Sequence, residues 1–189
     1  MKSHSSTSDI TDPESGSPSG QSAFLRGVGA ISTVAGWCSA AMIVVAVLVT
    51  CQMIFVRFVL NASTVWQTEL VVYLMIAATL IGLPYVQRLR GHVNVDLIPL
   101  SLSPKPRFYL SLVTSALSMA VVGVMLYYGY DYWHLAWSKN WTSDTVWGVR
   151  LWIPYLTVPL GFFLLLLQLV ADFVAVITGE EKPFGLEDE

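Results

Sequence analysis

Four uncharged, apolar runs constrain this chain more than any other feature. They cover residues 27–56, 70–87, 108–130 and 151–171. Each holds about 18 residues or more, and about 20 residues of helix cross a hydrocarbon core about 30 Å thick. Only 12% of the residues are charged, against about 25% in soluble domains. The sequence therefore predicts an all-α integral membrane protein with four transmembrane helices.

The two ends differ in composition from these runs. Residues 1–24 are rich in Ser, Thr, Pro and Gly, and the sequence predicts a disordered cytoplasmic tail there. The first apolar run exceeds the roughly 7–15 residues of a signal-peptide core, so we expect it to be retained. Residues 25–178 form the predicted four-helix membrane domain, and residues 179–189 form an acidic cytoplasmic tail.

The basic residues divide unequally between the two sides that four alternating spans create. Seven fall on one side and three on the other, and the side richer in Lys and Arg is normally cytoplasmic. We therefore expect both termini and the middle connection in the cytoplasm. The larger group is Lys2, Arg26, Arg88, Arg90, Lys105, Arg107 and Lys182, and the smaller group is Arg57, Lys139 and Arg150.

The two cysteines, Cys38 and Cys51, lie in one predicted helix. Thirteen residues of helix separate them by about 20 Å, which is too far for a disulfide. We interpret both as small apolar packing residues.

The first connection carries local signals for a turn between two helices. Asn61 stands where a helix C-cap is expected, and residues 64–67 fit a capping box. Arg57 and Glu69 flank this turn, which allows an ion pair between them. Two other readings stay open: both side chains reach interfacial water, or Glu69 relays protons.

The middle connection is a compact charged segment that includes Arg88, Arg90 and Gly91. If the residues after Gly91 are helical, His92 and Asp96 share one face. We predict a helix or turn that lies in the membrane interface, because a lone strand there would leave unpaired edges. Two ligands are too few for a metal site, and no span offers a histidine to haem, so we expect no bound metal or cofactor.

The second outward connection, residues 131–150, is dense in aromatic side chains. An interfacial aromatic belt explains them, and a docking surface around Lys139, Trp141 and Asp144 is compatible with it. Pro154 and Pro159 predict a bend in the last span.

In combination these segments resemble the DctQ-like small permease subunit of tripartite ATP-independent periplasmic (TRAP) transporters. The resemblance runs from about residue 45 to residue 177 and rests on the order and spacing of several pieces. These are Val56-Arg57-Phe58-Val59-Leu60-Asn61, Trp66 with Glu69, Gly91-His92-Val93-Asn94-Val95-Asp96-Leu97, Pro154-Tyr155, and Pro159-Leu160-Gly161-Phe162.

The resemblance implies a non-catalytic subunit in the bacterial inner membrane. In such systems a periplasmic binding protein captures the solute, and a large permease subunit imports it with sodium. The small subunit would scaffold the large one, and Arg57, Glu69, Gly91, His92 and Asp96 would belong to its fold and partner interface. We expect these two proteins and the lipid bilayer to be its partners, and we expect no nucleic-acid partner.

Two other functions remain open on the residues alone. One is a stand-alone four-helix exporter that uses Glu69 as its coupling acid, and the other is a membrane anchor for a redox enzyme. The spans hold few ionisable groups, whereas a solute pathway needs a polar lining. The sequence does not identify a solute: a dicarboxylate, another organic acid, sialic acid and an ectoine-like solute all fit the resemblance.

Overall fold

A computed structural model of the protein describes residues 23–89 and 104–178. The described residues are mainly helical, and four segments are long and apolar enough to cross a membrane. The prediction of an all-α protein with four transmembrane helices is confirmed. The helices are α1 (Ala23–Val59), α2 (Val65–Arg88), α3 (Pro104–Ser138), α4 (Trp152–Tyr155) and α5 (Thr157–Thr178).

Helices α1 and α2 form an antiparallel pair joined by a short turn. Asn61 adopts a left-handed conformation with φ of 48°, and the Ala62 amide donates to the Val56 carbonyl at 3.4 Å. The predicted C-cap is therefore present. The predicted capping box is wrong, because Thr64 makes no side-chain cap and the side chain of Gln67 turns toward Gln52 on α1.

Helix α5 is the centre of the bundle. It packs against α1, α2 and α3, whereas α3 packs mainly on α5 and α4. In the most apolar 18-residue stretch of α3 only 6% of the residues are buried, whereas the corresponding share in the last span is 28%. Much of the α3 surface is therefore not covered by the helices that the structure describes.

Helix α3 extends further than the apolar run predicts. It continues to Ser138, so the outward connection begins at about residue 139 and not at residue 131. The extension is stabilised by aromatic contacts: the Trp133 indole N–H donates to the Trp152 carbonyl at 3.1 Å, and the Trp137 and Trp152 ring centroids lie 4.5 Å apart. Asn140, with φ of 48°, follows the end of the helix.

The last span is interrupted at Leu156, between α4 and α5. Proline has no backbone N–H, so Pro159 cannot donate to the Tyr155 carbonyl four residues earlier. Thr157 Oγ1 donates to the Pro154 carbonyl at 2.6 Å at the same place. The helix is thus interrupted beside the two prolines, and the predicted bend of this span stays a prediction.

Small residues let the helices approach closely. A Cβ on Gly161 of α5 would lie 2.7 Å from the Leu80 carbonyl oxygen of α2. That carbonyl has no helical donor, because the residue four positions later is Pro84. Between α1 and α2, Ser39 Oγ donates to the Ala78 carbonyl at 2.6 Å. Such contacts replace hydrophobic driving force, which is weak between helices in lipid.

Candidate functional site

Polar side chains mark the two ends of the α1–α2 helix pair. Gln52 and Gln67 face each other near the turn between α1 and α2, at 3.5 Å from Nε2 of Gln67 to Oε1 of Gln52. Twenty residues away along each helix stand Ser32 and Gln87. Twenty residues of helix span about 30 Å, which matches the thickness of a hydrocarbon core. We call the end of the bundle at the Gln52–Gln67 pair the hairpin end, after the helical hairpin that α1 and α2 form. We call the opposite end, where α1 begins and α5 ends, the terminal end.

A polar cluster of four side chains, Ser32, Gln87, Gln168 and Asp172, joins three helices at the terminal end. Ser32 Oγ of α1 donates to Gln168 Oε1 of α5 at 2.6 Å. Gln168 Nε2 donates to one oxygen of Asp172 at 2.7 Å, and Gln87 Nε2 of α2 donates to the other at 3.1 Å. The cluster ties α1 and α2 to the central helix.

Sequence reasoning missed this cluster. Gln168 and Ser32 are uncharged and sit inside apolar runs, and Asp172 lies one residue beyond the predicted end of the last run. The available signal was the spacing of Gln168 and Asp172, because residues four apart share a helix face and an acid within a span marks a functional or structural joint.

Arg88 holds the terminal end of α2 against α1. Its Nη1 donates to the Gly29 carbonyl at 2.6 Å and also to Thr33 Oγ1. The guanidinium group lies against Gly29, where a Cβ would approach Cζ to 3.3 Å. A residue without a side chain at position 29 thus makes room for the arginine.

At the hairpin end, Glu69 contacts the connection between α3 and α4. Its Oε1 accepts a hydrogen bond from Ser143 Oγ, and its Oε2 is buried without a hydrogen-bond partner. Ser143 belongs to a short hairpin, residues 141–151, in which the Ser143 amide donates to the Val149 carbonyl at 2.8 Å and the Leu151 amide to the Trp141 carbonyl at 2.9 Å. Glu69 thereby fastens the hairpin to α2.

The expected ion pair between Arg57 and Glu69 does not form in the described part of the chain. Arg57 is exposed in the last turn of α1. Because Gln52 faces Gln67, Arg57 lies about five residues beyond this level and Glu69 lies two residues on its other side. Their levels differ by about 10 Å at 1.5 Å per residue.

The three predicted docking residues differ in exposure. Lys139 and Asp144 are exposed, whereas Trp141 is half-buried and packs edge-on against Tyr132 at a centroid distance of 5.9 Å. Among the described residues, the most exposed large apolar side chain is Val146 at the hairpin tip, at 99%. Trp147 beside it packs against Trp66 at 6.3 Å, which holds the base of the tip on α2.

The remaining predicted interface residues, Gly91, His92 and Asp96, lie outside the described residues, as does the predicted interfacial segment. Residues 1–22 and 179–189 of the predicted tails also lie outside them. In the described ranges no group of three or more His, Cys, Asp or Glu side chains could hold a metal ion. Cys38 and Cys51 are free, as their helical spacing predicts, but both are exposed, so the prediction that they pack inside the bundle is wrong.

A family model described as the DctQ component of tripartite ATP-independent periplasmic transporters matches residues 46–179. The chain belongs to the DctQ family. The resemblance seen in the sequence is therefore confirmed, and the chain is a multi-pass small membrane subunit of a TRAP transporter. A comparison with curated proteins gave no match.

The matched region of this DctQ chain begins within α1 and includes all of α2 to α5. Glu69, Ser143, Gln168 and Asp172 lie inside it. Ser32, which completes the polar cluster from the α1 side, lies before it. The first half of α1 is thus built into the bundle although it precedes the matched region.

Proposed function

We propose that this DctQ chain is a non-catalytic scaffold that binds the large membrane subunit of a TRAP transporter. That transporter imports a small organic solute, often an organic acid, which a periplasmic binding protein delivers and which crosses with sodium. The chain would reside in the bacterial inner membrane with both termini in the cytoplasm. Its role would be to brace the large subunit while the transport machinery moves within the lipid.

The observation that carries the proposal is how the polar side chains of the spans are used. Gln87, Gln168, Asp172 and Ser32 bind one another across three helices, and Glu69 binds the hairpin. A transport pathway needs polar groups that line a route for solute or ion. Groups engaged in interhelical bonds instead make a rigid frame, which suits a scaffold.

The uncovered surface of α3 is where this frame would bind the large subunit. Its exposed residues combine bulky apolar side chains with small ones, and a Cβ on Gly123 would meet nothing within 4 Å. Helix association in membranes favours small residues, which let backbones come close.

The interface and fold residues that we propose from the family resemblance are Arg57, Glu69, Gly91, His92 and Asp96.

Co-expression tests the scaffold role. We expect this chain to aggregate when it is produced alone, and to purify as a stoichiometric complex when it is produced with the large subunit of the same transporter. A stable preparation of the chain alone that transports solute in proteoliposomes would overturn the proposal. The exporter alternative predicts that such proteoliposomes show proton-linked efflux that Glu69→Gln abolishes, and the redox-anchor alternative predicts a bound chromophore.

Chemical labelling tests the proposed orientation. Val146→Cys would place a thiol on the hairpin tip, where the native side chain is almost fully exposed. We expect a membrane-impermeant maleimide added to spheroplasts to label it. The native thiols of Cys38 and Cys51 lie within α1, so the unsubstituted chain is the control. Labelling that requires membrane lysis would place the hairpin in the cytoplasm and overturn the orientation.

A further inference from the structure

Two arginines from different helices lie at the terminal end of the bundle. Arg26 lies in the first turn of α1, and Arg88 lies in the last turn of α2. Arg88 Nη1 donates to the Gly29 carbonyl and to Thr33 Oγ1. Positions 26, 29 and 33 are spaced by three and four residues and share one face of α1. The Arg88 guanidinium therefore lies on the same face of α1 as Arg26, about one to two helical turns further along it.

The charges of these two arginines are not neutralised by the part of the chain that the structure describes. Both side chains are exposed, and within residues 23–89 and 104–178 neither makes an ion pair with a carboxylate. Like charges at neighbouring positions repel each other, so an anion between them lowers the electrostatic energy. Guanidinium groups match the geometry of phosphate oxygens, and Arg88 is already oriented by its two acceptors on α1.

The level of Arg88 in the bundle points to a phosphate at the membrane surface. Arg88 directly follows Gln87, which lies about 30 Å from the Gln52–Gln67 pair. This is the level at which phospholipid headgroups lie relative to a hydrocarbon core of about the same thickness.

An exposed apolar stripe continues from this site toward the middle of the membrane. Trp37, Ala41 and Val44 follow Thr33 on α1 at spacings of four, four and three residues, so they extend the same face. All three are exposed, and Trp37 is 74% exposed. The stripe is a surface for an acyl chain, which a free phosphate ion lacks.

We propose that Arg26 and Arg88 bind the phosphate of an anionic phospholipid whose acyl chain lies along Trp37, Ala41 and Val44. The site is independent of the scaffold role and does not require a particular orientation in the membrane. It would anchor the first turn of α1 to the end of α2 through the lipid headgroup.

Native mass spectrometry of the full chain, purified with the large subunit, tests the site. The probes are dioleoyl-phosphatidylglycerol and dioleoyl-phosphatidylcholine at equal concentration. We expect phosphatidylglycerol to bind in preference, and Arg26→Gln and Arg88→Gln each to reduce the preference about fivefold. Arg150→Gln, which removes an exposed arginine from the hairpin end, is the matched control and should leave the preference unchanged.

Two further variants separate a binding site from general attraction between charges. Thr33→Val keeps both arginines but removes an acceptor of Arg88, so it should lower the preference less than Arg88→Gln does. Phosphatidylglycerol with brominated acyl chains quenches the fluorescence of nearby tryptophans. Trp37→Phe should reduce this quenching, because it removes the tryptophan of the acyl-chain stripe. An equal loss of preference in Arg150→Gln would show general attraction and overturn the site.

Two other results would also overturn the proposal. Arg26 makes no hydrogen bond in the described part of the chain, so Arg26→Gln should fold normally, and an unchanged lipid preference in this variant would exclude the site. Displacement of phosphatidylglycerol by millimolar inorganic phosphate would show that a free anion, and not a lipid, is the ligand.

Discussion

Ser32 Oγ on α1 donates a hydrogen bond of 2.6 Å to Gln168 Oε1 on α5, 136 residues later in the chain. Both side chains are buried, and Gln168 also donates to Asp172. A buried polar group without a partner is costly, so these residues favour the arrangement in which α5 packs against α1. The buried hydroxyl of Ser32, in the first half of α1, therefore depends on the last helix for its hydrogen bond.

Replacing Gln168 with Leu should destabilise the bundle. The change keeps a side chain of similar size but removes the acceptor of Ser32 and a donor to Asp172. Interhelical hydrogen bonds in membranes contribute about 0.6 kcal/mol each and at most about 1.7 kcal/mol. We expect the free energy of unfolding to fall by about 1–2 kcal/mol, measured by titration with sodium dodecyl sulfate in mixed micelles.

Ser118→Ala is the control for this variant. Ser118 is an exposed polar residue of α3, and it makes no hydrogen bond in the described part of the chain. Its loss should change the free energy of unfolding by less than about 0.5 kcal/mol. Equal effects of the two substitutions would contradict the role of the polar cluster.

Replacing glycine with alanine should have different effects at Gly161, where α5 lies close to α2, and at Gly123 on the surface of α3. A Cβ on Gly161 would lie 2.7 Å from the Leu80 carbonyl oxygen, which belongs to the backbone and cannot move alone. Gly161→Ala should therefore cost about 1–3 kcal/mol of unfolding free energy. Gly123→Ala meets nothing within 4 Å and should be neutral or stabilising by up to about 1 kcal/mol. Destabilisation by both would contradict the packing.

Hydropathy and turn chemistry predicted the fold because each depends on short segments. The four spans follow from apolar length, the end of α1 from Asn61, and the break before α5 from Pro154 and Pro159. Helix α3 runs on to Ser138 because Trp133 and Trp137 pack against Trp152, which is 15 or more residues away in the sequence. Such contacts between segments are not visible in a local pattern.

The partner of Glu69 illustrates the same limit for the candidate site. Arg57 is the basic residue nearest to Glu69 in the sequence. The register of α1 and α2, however, places the two side chains at different levels of the bundle. Ser143, 74 residues away, reaches Glu69 only because α3 returns the chain to this end of the bundle. Gln168 and Asp172 were missed for a related reason, since an average over an apolar run does not reveal which polar residues face one another.

Loss of the Ser143 hydroxyl should loosen the hairpin. Its Oγ donates to Glu69, so Ser143→Ala removes the side-chain bond that fastens residues 141–151 to α2. A bond worth about 1 kcal/mol corresponds to about fivefold faster opening. We expect amide hydrogen exchange in the hairpin to accelerate by about this factor, measured by mass spectrometry.

Substitutions of Glu69 provide the comparison for this experiment. Glu69→Leu should reproduce the faster exchange because it removes the acceptor. Glu69→Gln keeps one acceptor oxygen and should have a smaller effect. Unchanged exchange in both Ser143→Ala and Glu69→Leu would show that the contacts of Trp147 with Trp66, and not the hydrogen bond, hold the hairpin.

Substitutions of exposed residues at the hairpin end should impair solute uptake and leave assembly of the complex intact. Lys139 and Val146 are exposed, so Lys139→Glu and Val146→Asp should leave the bundle and its membrane level intact. If the binding protein docks here, each variant should raise the KM for loaded binding protein about fivefold in reconstituted transporter, equivalent to about 1 kcal/mol. Trp141→Ala is less informative, because Trp141 packs on Tyr132 and its loss also disturbs the hairpin. Wild-type KM values in both surface variants, with normal levels of the complex, would exclude this end as the docking surface.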